Sequence, residues 1–251
     1  MLPVVVAYVN QPLWENVAFM TEHAHPTDAS DGFRVAPAEP ADLEGMARCH
    51  IACFPEQFTS RMGLRYATAF YDAYLRGPGG IALVALDGAG WVVGVVVGGR
   101  PAIRAEFLAA AKWRFLPTLL CKVLTHGSIL ASIARVALRK LHLARGVVVA
   151  IHDVAGAEPR WAVLQVIGVL PQVRGTPVAG RLIEVFRQAC REAGFASMYL
   201  SVFTANARAI AFYRRHAWDV VRQEGSSTYM RCSTAGPGPA PGAAGGAATS
   251  S

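Results

Sequence analysis

The run WAVLQVIGVLPQVRGTPVAGRLIEVF, which opens at Trp161, restricts the fold more than any other stretch of the chain. Its first part, ending at Val169, is apolar and rich in branched residues, and reads as a strand. A turn through Pro171 and the pair Arg174-Gly175 follow. Beyond them Val178, Leu182, Phe186, Ala189, Cys190 and Ala193 form an apolar stripe at helical spacing, with Arg181, Glu184, Gln188 and Arg191 on the wet face. Gly194 stands where the C′ residue of that helix belongs. A strand that enters a helix through a tight loop aims unpaired N–H groups and the positive end of the helix dipole at the loop, a setting that favours a pyrophosphate. Gly175 allows positive φ and close approach of a ligand. Taken alone the pattern is an ordinary α/β connection.

The flanking sequence supports one mixed domain over 33–232, between a poorly ordered N-terminal extension (1–32) and a disordered Ala/Gly/Pro tail (233–251). FRVAP reads as a short strand, and EPADLEGMARCHIACF as a helix with Leu43, Met46, Ala47, His50 and Ile51 on one face. SRMGLRYATAFYDAYLRG reads as a second helix. GIALVALDGAGWVVGVVVGG reads as a hairpin around an Asp-Gly turn. A basic segment over 100–145 reads as two or three helices, then come the strands GVVVAIHDV and PRWAVLQVIGV. After the helix at 177–194 the chain reads strand (SMYLSVF), helix (NARAIAFYRRH) and two closing strands, WDVV and STYMRC. Strands and helices alternate without internal repeat, which argues α/β or α+β.

Asn206, in TANARAIAFYRRHAW, is a good N-cap, and Ala209 and Tyr213 follow on roughly the same helical face. A packed amphipathic helix with a core tyrosine gives the same pattern. Together, however, VIGVLPQVRGTPVAGRLI and YLSVFTANARAIAFYRRHAWDVV resemble the GCN5-related N-acetyltransferase (GNAT) superfamily in order and spacing. The first is similar to that family's acetyl-CoA loop: Arg/Gln, two residues, Gly, one residue, Gly or Ala. The second is similar to its Asn, Ala, Tyr signature, followed by a Gly-Phe-like pair that is Ala217-Trp218 here. The close resemblance covers about 163–222 and extends loosely to 33–49 and 81–98.

The resemblance implies a central mixed, mostly antiparallel sheet with helices on both faces, plus a helical insertion at 100–145. It implies acetyl-CoA as the acyl donor, no metal, and a primary amine as acceptor in a ternary complex. Arg174 matches the first loop position, Pro177 replaces the loop glycine, and Ala179 matches the last. The backbone N–H groups of Gly175, Thr176, Val178 and Ala179 are then the candidates for the pyrophosphate. Ile167 to Val169 would pair with the pantetheine arm, and the Val169 N–H would polarise the thioester carbonyl. Asn206 would hydrogen-bond the cofactor, and Tyr213 would protonate the departing thiolate.

Two positions depart from the family pattern. Pro177 removes one possible donor, although proline is favoured at the first helical position, with Thr176 then as N-cap. No carboxylate stands on the strand before the loop: Gln165 and Val166 occupy the matching positions, and Gln165 can orient a water but is not a base near neutral pH. His152, Asp153 and Glu158 on the preceding loop are open candidates, as solvated loop residues or as the base. A non-catalytic acyl-CoA-sensing module is the alternative function that Pro177 and Gln165 favour.

Charge and cysteine content bound the partners. Nine Lys and Arg against Glu106 give the segment 100–145 a charge of +8, out of +7 for the whole chain. Such a segment suggests an anionic membrane surface or a solvated helical face. No nucleic-acid motif accompanies the charge, so nucleic acid is the weakest partner. The resemblance implies that the loop between the first two helices borders the acceptor site, which makes Phe54, Glu56 and Phe58 candidates for it; capping and packing explain them equally well. Five cysteines without metal spacing read as small apolar residues of a cytoplasmic protein, free or at the membrane periphery. No apolar run reaches membrane-spanning length, and oligomeric state is not legible.

Overall fold

The segments Gly80–Leu86 (β2) and Val92–Gly99 (β3) are almost wholly buried along their length. Continuous apolar runs of this kind suit strands covered on both faces, and that is their position here. In the computed structural model, which describes residues 32–118 and 160–235, seven strands form one sheet in the order β1-β2-β3-β4-β5-β7-β6. The others are Arg34–Pro37 (β1), Trp161–Val169 (β4), Ser197–Phe203 (β5), Asp219–Glu224 (β6) and Ser227–Ser233 (β7). Neighbours are antiparallel except β4 and β5, which run parallel. The expected mixed, mostly antiparallel sheet is therefore observed.

Helices cover both faces. Leu43–Cys53 (α1), Leu64–Arg76 (α3) and Ala102–Arg114 (α4) bury Met46, Phe70, Tyr71 and Phe107 against Val84, Val95 and Val97. Val178–Glu192 (α5) and Ala207–Arg215 (α6) bury Leu182, Phe186, Ala209 and Tyr213 against the opposite face. The helix expected from Ser60 onward is broken: Gly63 at φ +92° separates a short helix, Phe58–Met62 (α2), from α3. The hairpin turn also differs from a tight Asp-Gly turn. Asp87 Oδ1 accepts from the N–H groups of Ala89 (2.9 Å) and Trp91 (2.8 Å), so the loop closes over five residues.

Three features of this frame position the site. First, β4 and β5 pair only through Trp161–Ser197, Ala162–Met198 and Val163–Tyr199, although both strands continue. Beyond Val163 they diverge and leave a cleft. Second, Gln165 is the extra residue of a bulge on β4, lying between the pairs Gly98–Leu164 and Val97–Val166. A bulge increases local twist and bends the strand. Third, Gly94 and Gly98 on β3 face α5: a Cβ on Gly94 would lie 2.9 Å from Leu182 Cδ1, and one on Gly98 would lie 2.5 Å from Phe186. The helix lies on the sheet as closely as it does because those two side chains are missing.

α5 ends as expected in a Schellman motif: Phe195 N–H donates to Cys190 O and Gly194 N–H to Arg191 O, with Gly194 at φ +77°. β7 runs to Ser233, and buried Thr234 donates its hydroxyl to Phe195 O (2.7 Å), so the first residues assigned to the tail belong to the fold. Residues 1–31 and 236–251, the basic segment from 119 onward and the strand expected at 146–154 lie outside the described residues.

Candidate active site

The cleft between β4 and β5 is lined on one side by backbone. In an antiparallel ladder, hydrogen-bonded and non-hydrogen-bonded pairs alternate. Leu170 N–H donates to Val93 O at 2.9 Å, so the adjacent pair Val169–Gly94 is of the non-hydrogen-bonded kind. The N–H and C=O of Val169 therefore turn away from β3 towards the cleft, and those of Ile167, two residues back, do the same. Both residues expected to meet the pantetheine arm thus offer their backbone groups to the diverging edge. Their side chains pack with the core beneath α5.

The loop after β4 makes a short 3-10 turn, Pro171–Val173, and then turns through Gly175 at φ +89°, where an added Cβ would meet open space. Left-handed backbone in an open position is where glycine is at no disadvantage. The first helical bond of α5 runs from Arg181 N–H to Pro177 O (2.9 Å). Pro177 is thus the N-cap residue of α5, and Thr176 lies one position earlier than expected for a cap. The Thr176 hydroxyl donates to Val173 O (2.7 Å), and its own N–H turns to the same carbonyl (3.4 Å). Thr176 is therefore engaged inside the loop. The N–H groups without intrahelical partners are those of Val178, Ala179 and Gly180; Val178 N–H has only a long contact, 3.5 Å, to Thr176 Oγ1. Gly180 was not singled out from the sequence, though its place as third residue of the first turn was the signal. All three donors follow the proline.

Arg174 is exposed, and its guanidinium lies beside Cys53 at the end of α1. Asn206 is buried; its Oδ1 accepts from Ala209 N–H at 3.0 Å and so caps α6. Tyr213 is fully buried on α6, packed on Phe212 and Trp218, and its hydroxyl has no hydrogen-bond partner among the described residues. Burial pushes its pKa up, so the phenol stays protonated at neutral pH. A buried hydroxyl without a partner costs stability, and such a group is fit to serve a ligand.

On the base side, Gln165 is buried at the bulge. His152, Asp153 and Glu158 lie outside the described residues. Glu56 is exposed and paired with Arg61, while Phe54 packs against Gly168 of β4. Among the described residues no cluster of His, Cys, Asp and Glu could hold a metal ion, and no helix is long and apolar enough to cross a membrane.

These groups fit an extended thioester of a phosphorylated carrier: a strand edge for an amide-bearing arm, a helix N-terminus for its phosphates, and a protonated phenol in the same core. The model of the acetyltransferase (GNAT) family matches residues 43–218. Among solved structures, the chain is similar to the crystal structure of SsHAT, at 26% identity and TM-score 0.56, over 80% of this chain and 98% of that one. It is also similar in fold to NAA60 of Arabidopsis thaliana in complex with acetyl-CoA, at 17% identity and TM-score 0.51, over 81% of this chain and 99% of that one. No curated protein matches it. With its family model spanning strands β2 to β5, including the diverging pair, and both motif-bearing helices, the chain belongs to the acetyltransferase (GNAT) family, whose acyl donor is acetyl-CoA.

Proposed function

We propose that the chain is an N-acetyltransferase that moves the acetyl group of acetyl-CoA directly onto a primary amine in a ternary complex. The observation that carries this reading is the divergence of β4 from β5 beyond Val163, which turns the Val169 N–H into the cleft below the N-terminus of α5. Acetyl-CoA supplies an acyl group already activated as a thioester. The N–H groups of Gly175, Val178, Ala179 and Gly180 bind its pyrophosphate, helped by the dipole of α5. Backbone of Ile167 and Val169 aligns the pantetheine arm, and the Val169 N–H stabilises the charge that develops on the carbonyl oxygen. Tyr213 holds a proton for the departing sulfur. Asn206 fixes the start of α6 and thereby the position of Tyr213. Gln165 orients the water through which the amine loses its proton.

Calorimetric titration with acetyl-CoA, followed by a screen of small and peptide amines, tests the reading. Micromolar binding and acetylation of an amine support it. A folded protein that binds acetyl-CoA but acetylates no amine supports instead the sensing module, for which Gln165 in place of a carboxylate is the favouring observation.

The basic segment is a candidate for contact with an anionic membrane surface. At its described end Trp113 is 73% exposed, with the Lys112 ammonium 5.5 Å from its ring. Flotation with anionic vesicles at low salt should carry the protein upward, and failure to float removes the membrane from the reading.

A further inference from the structure

α1 ends against β4, close to the thioester position. Gly168 makes this approach possible: a Cβ there would lie 2.8 Å from the Phe54 ring and 3.3 Å from Cys53 Cβ. Cys53 Sγ lies 3.1 Å from the carbonyl oxygen of Val169, to which its thiol donates. That carbonyl belongs to the residue whose N–H faces the cleft, and both groups turn to the same side of β4. The sulfur of Cys53 therefore reaches the cleft from the α1 face, opposite the core under α5.

Its surroundings are also specific. Cys49, one helical turn earlier and buried, has its sulfur 3.9 Å from that of Cys53. The Arg174 guanidinium approaches from the loop before α5. Tyr71, whose hydroxyl is 2.9 Å from His50 Nδ1, closes the buried side. The hydrogen bond with Cys49 draws the Cys53 pKa below the ordinary thiol value against the opposing effect of burial, and the Arg174 charge adds to it, whereas the same pairing and burial push Cys49 up. Cys190 and Cys232, packed in the opposite core, are both pushed up by burial. A nucleophilic thiol needs thiolate character and access, and among these four only half-buried Cys53 combines them.

We propose that Cys53 is a site of self-S-acylation: with acetyl-CoA bound and no amine present, the Cys53 sulfur attacks the thioester carbonyl carbon. The new C–S bond forms to Cys53 as the C–S bond to CoA breaks. The Cys53 proton goes to the released CoA sulfur, and nothing is oxidised or reduced. The product, an acetyl-Cys53 thioester, keeps the activation of the donor and is reversed by free CoA. It occupies the α1 side of the cleft and so closes the enzyme to an amine until the acyl group returns to CoA. The proposal rests on acetyl-CoA binding along β4.

The test is incubation of the full chain with acetyl-CoA without amine, acid quench, and peptide mass mapping. The expected result is one acetyl group on the Cys53 peptide, labile to hydroxylamine, removed by excess CoA, and absent from Cys190 and Cys232. Cys49→Ala should slow the labelling several-fold while acetyl-CoA still binds by calorimetry. Because the wild-type map is itself decisive, the test does not depend on the folding of a variant. Acetyl-CoA binding with an unlabelled Cys53, or labelling spread equally over the cysteines, overturns the proposal and leaves the donor site standing. Absence of acetyl-CoA binding overturns the donor site and the proposal together.

Discussion

The indole of Trp218 lies 5.7 Å from the phenol of Tyr213, and a backbone bond joins the same two residues: Trp218 N–H donates to the Tyr213 carbonyl at 3.1 Å. With Ala217 N–H on Arg214 O, that bond makes a Schellman end for α6. The residue between must be left-handed, and Ala217 has φ +60°. Where the family pattern has glycine, this chain holds an exposed alanine in a conformation that costs about 1–2 kcal/mol. Ala217→Gly should therefore raise stability by about 1 kcal/mol, read as a higher urea midpoint with unchanged slope. A lower midpoint would mean that the turn is held by something other than its φ angle.

Tyr213 has a hydroxyl without a partner among the described residues and a raised pKa in a fully buried position. Tyr213→Phe removes the proton and keeps the packing. Turnover of an identified amine should fall roughly 10²–10⁴-fold, with acetyl-CoA affinity nearly unchanged by calorimetry. An unchanged rate would remove Tyr213 from the mechanism and leave it a core residue.

Pro177 precedes all three donors of the first turn of α5, so its missing N–H takes nothing from them. Pro177→Gly should leave the dissociation constant for acetyl-CoA the same or lower. The change frees the unfolded chain and should cost roughly 0.4–1 kcal/mol of stability. Loss of binding in the folded variant would show that the ring shapes the cradle.

His50 is 1% exposed and surrounded by Phe54, Phe70 and Tyr71. Burial, and then the Arg104 charge, lower its pKa from 6.5 to about 4. The unfolded chain takes up a proton as pH falls through 6.5, and the folded chain does not until about 4. The contribution of His50 is therefore complete above 6.5 and lost as the pH drops towards 4. At about pH 5.5 the loss should be roughly 1.2 kcal/mol relative to neutral pH. Urea unfolding at both pH values measures it, and His50→Gln should flatten the difference. An equal slope in the variant would show that His50 is not the group responsible.

The strand–loop–helix at 161–192 and the cap at Asn206 were legible because each is written in a few adjacent residues. Apolar spacing, Gly175, Gly194 and Asn206 all act within one turn of themselves. The break at Gly63 was hidden by apolar periodicity that continues through it. Thr176 was expected at the cap, but its hydroxyl found the closer carbonyl of Val173. The cleft itself has no local signature: β4 and β5 are both good strands, and only their register shows where pairing stops. The meeting of Cys53 with Val169, across 116 positions, depends on Gly168 having no side chain and on the way α1 crosses the sheet.

The two bare positions on β3, Gly94 and Gly98, give the enzyme a gauge. They fix the height of α5 above the sheet, and so the span from the N–H groups that open the helix to the Val169 N–H at the end of β4. In the proposed donor site, a donor whose arm matches that span would place its carbonyl on Val169 with its phosphates seated. A methyl group on Gly94 would press on Leu182 and lift the helix, lengthening the span, so the proposed site would gauge its carrier partly from β3.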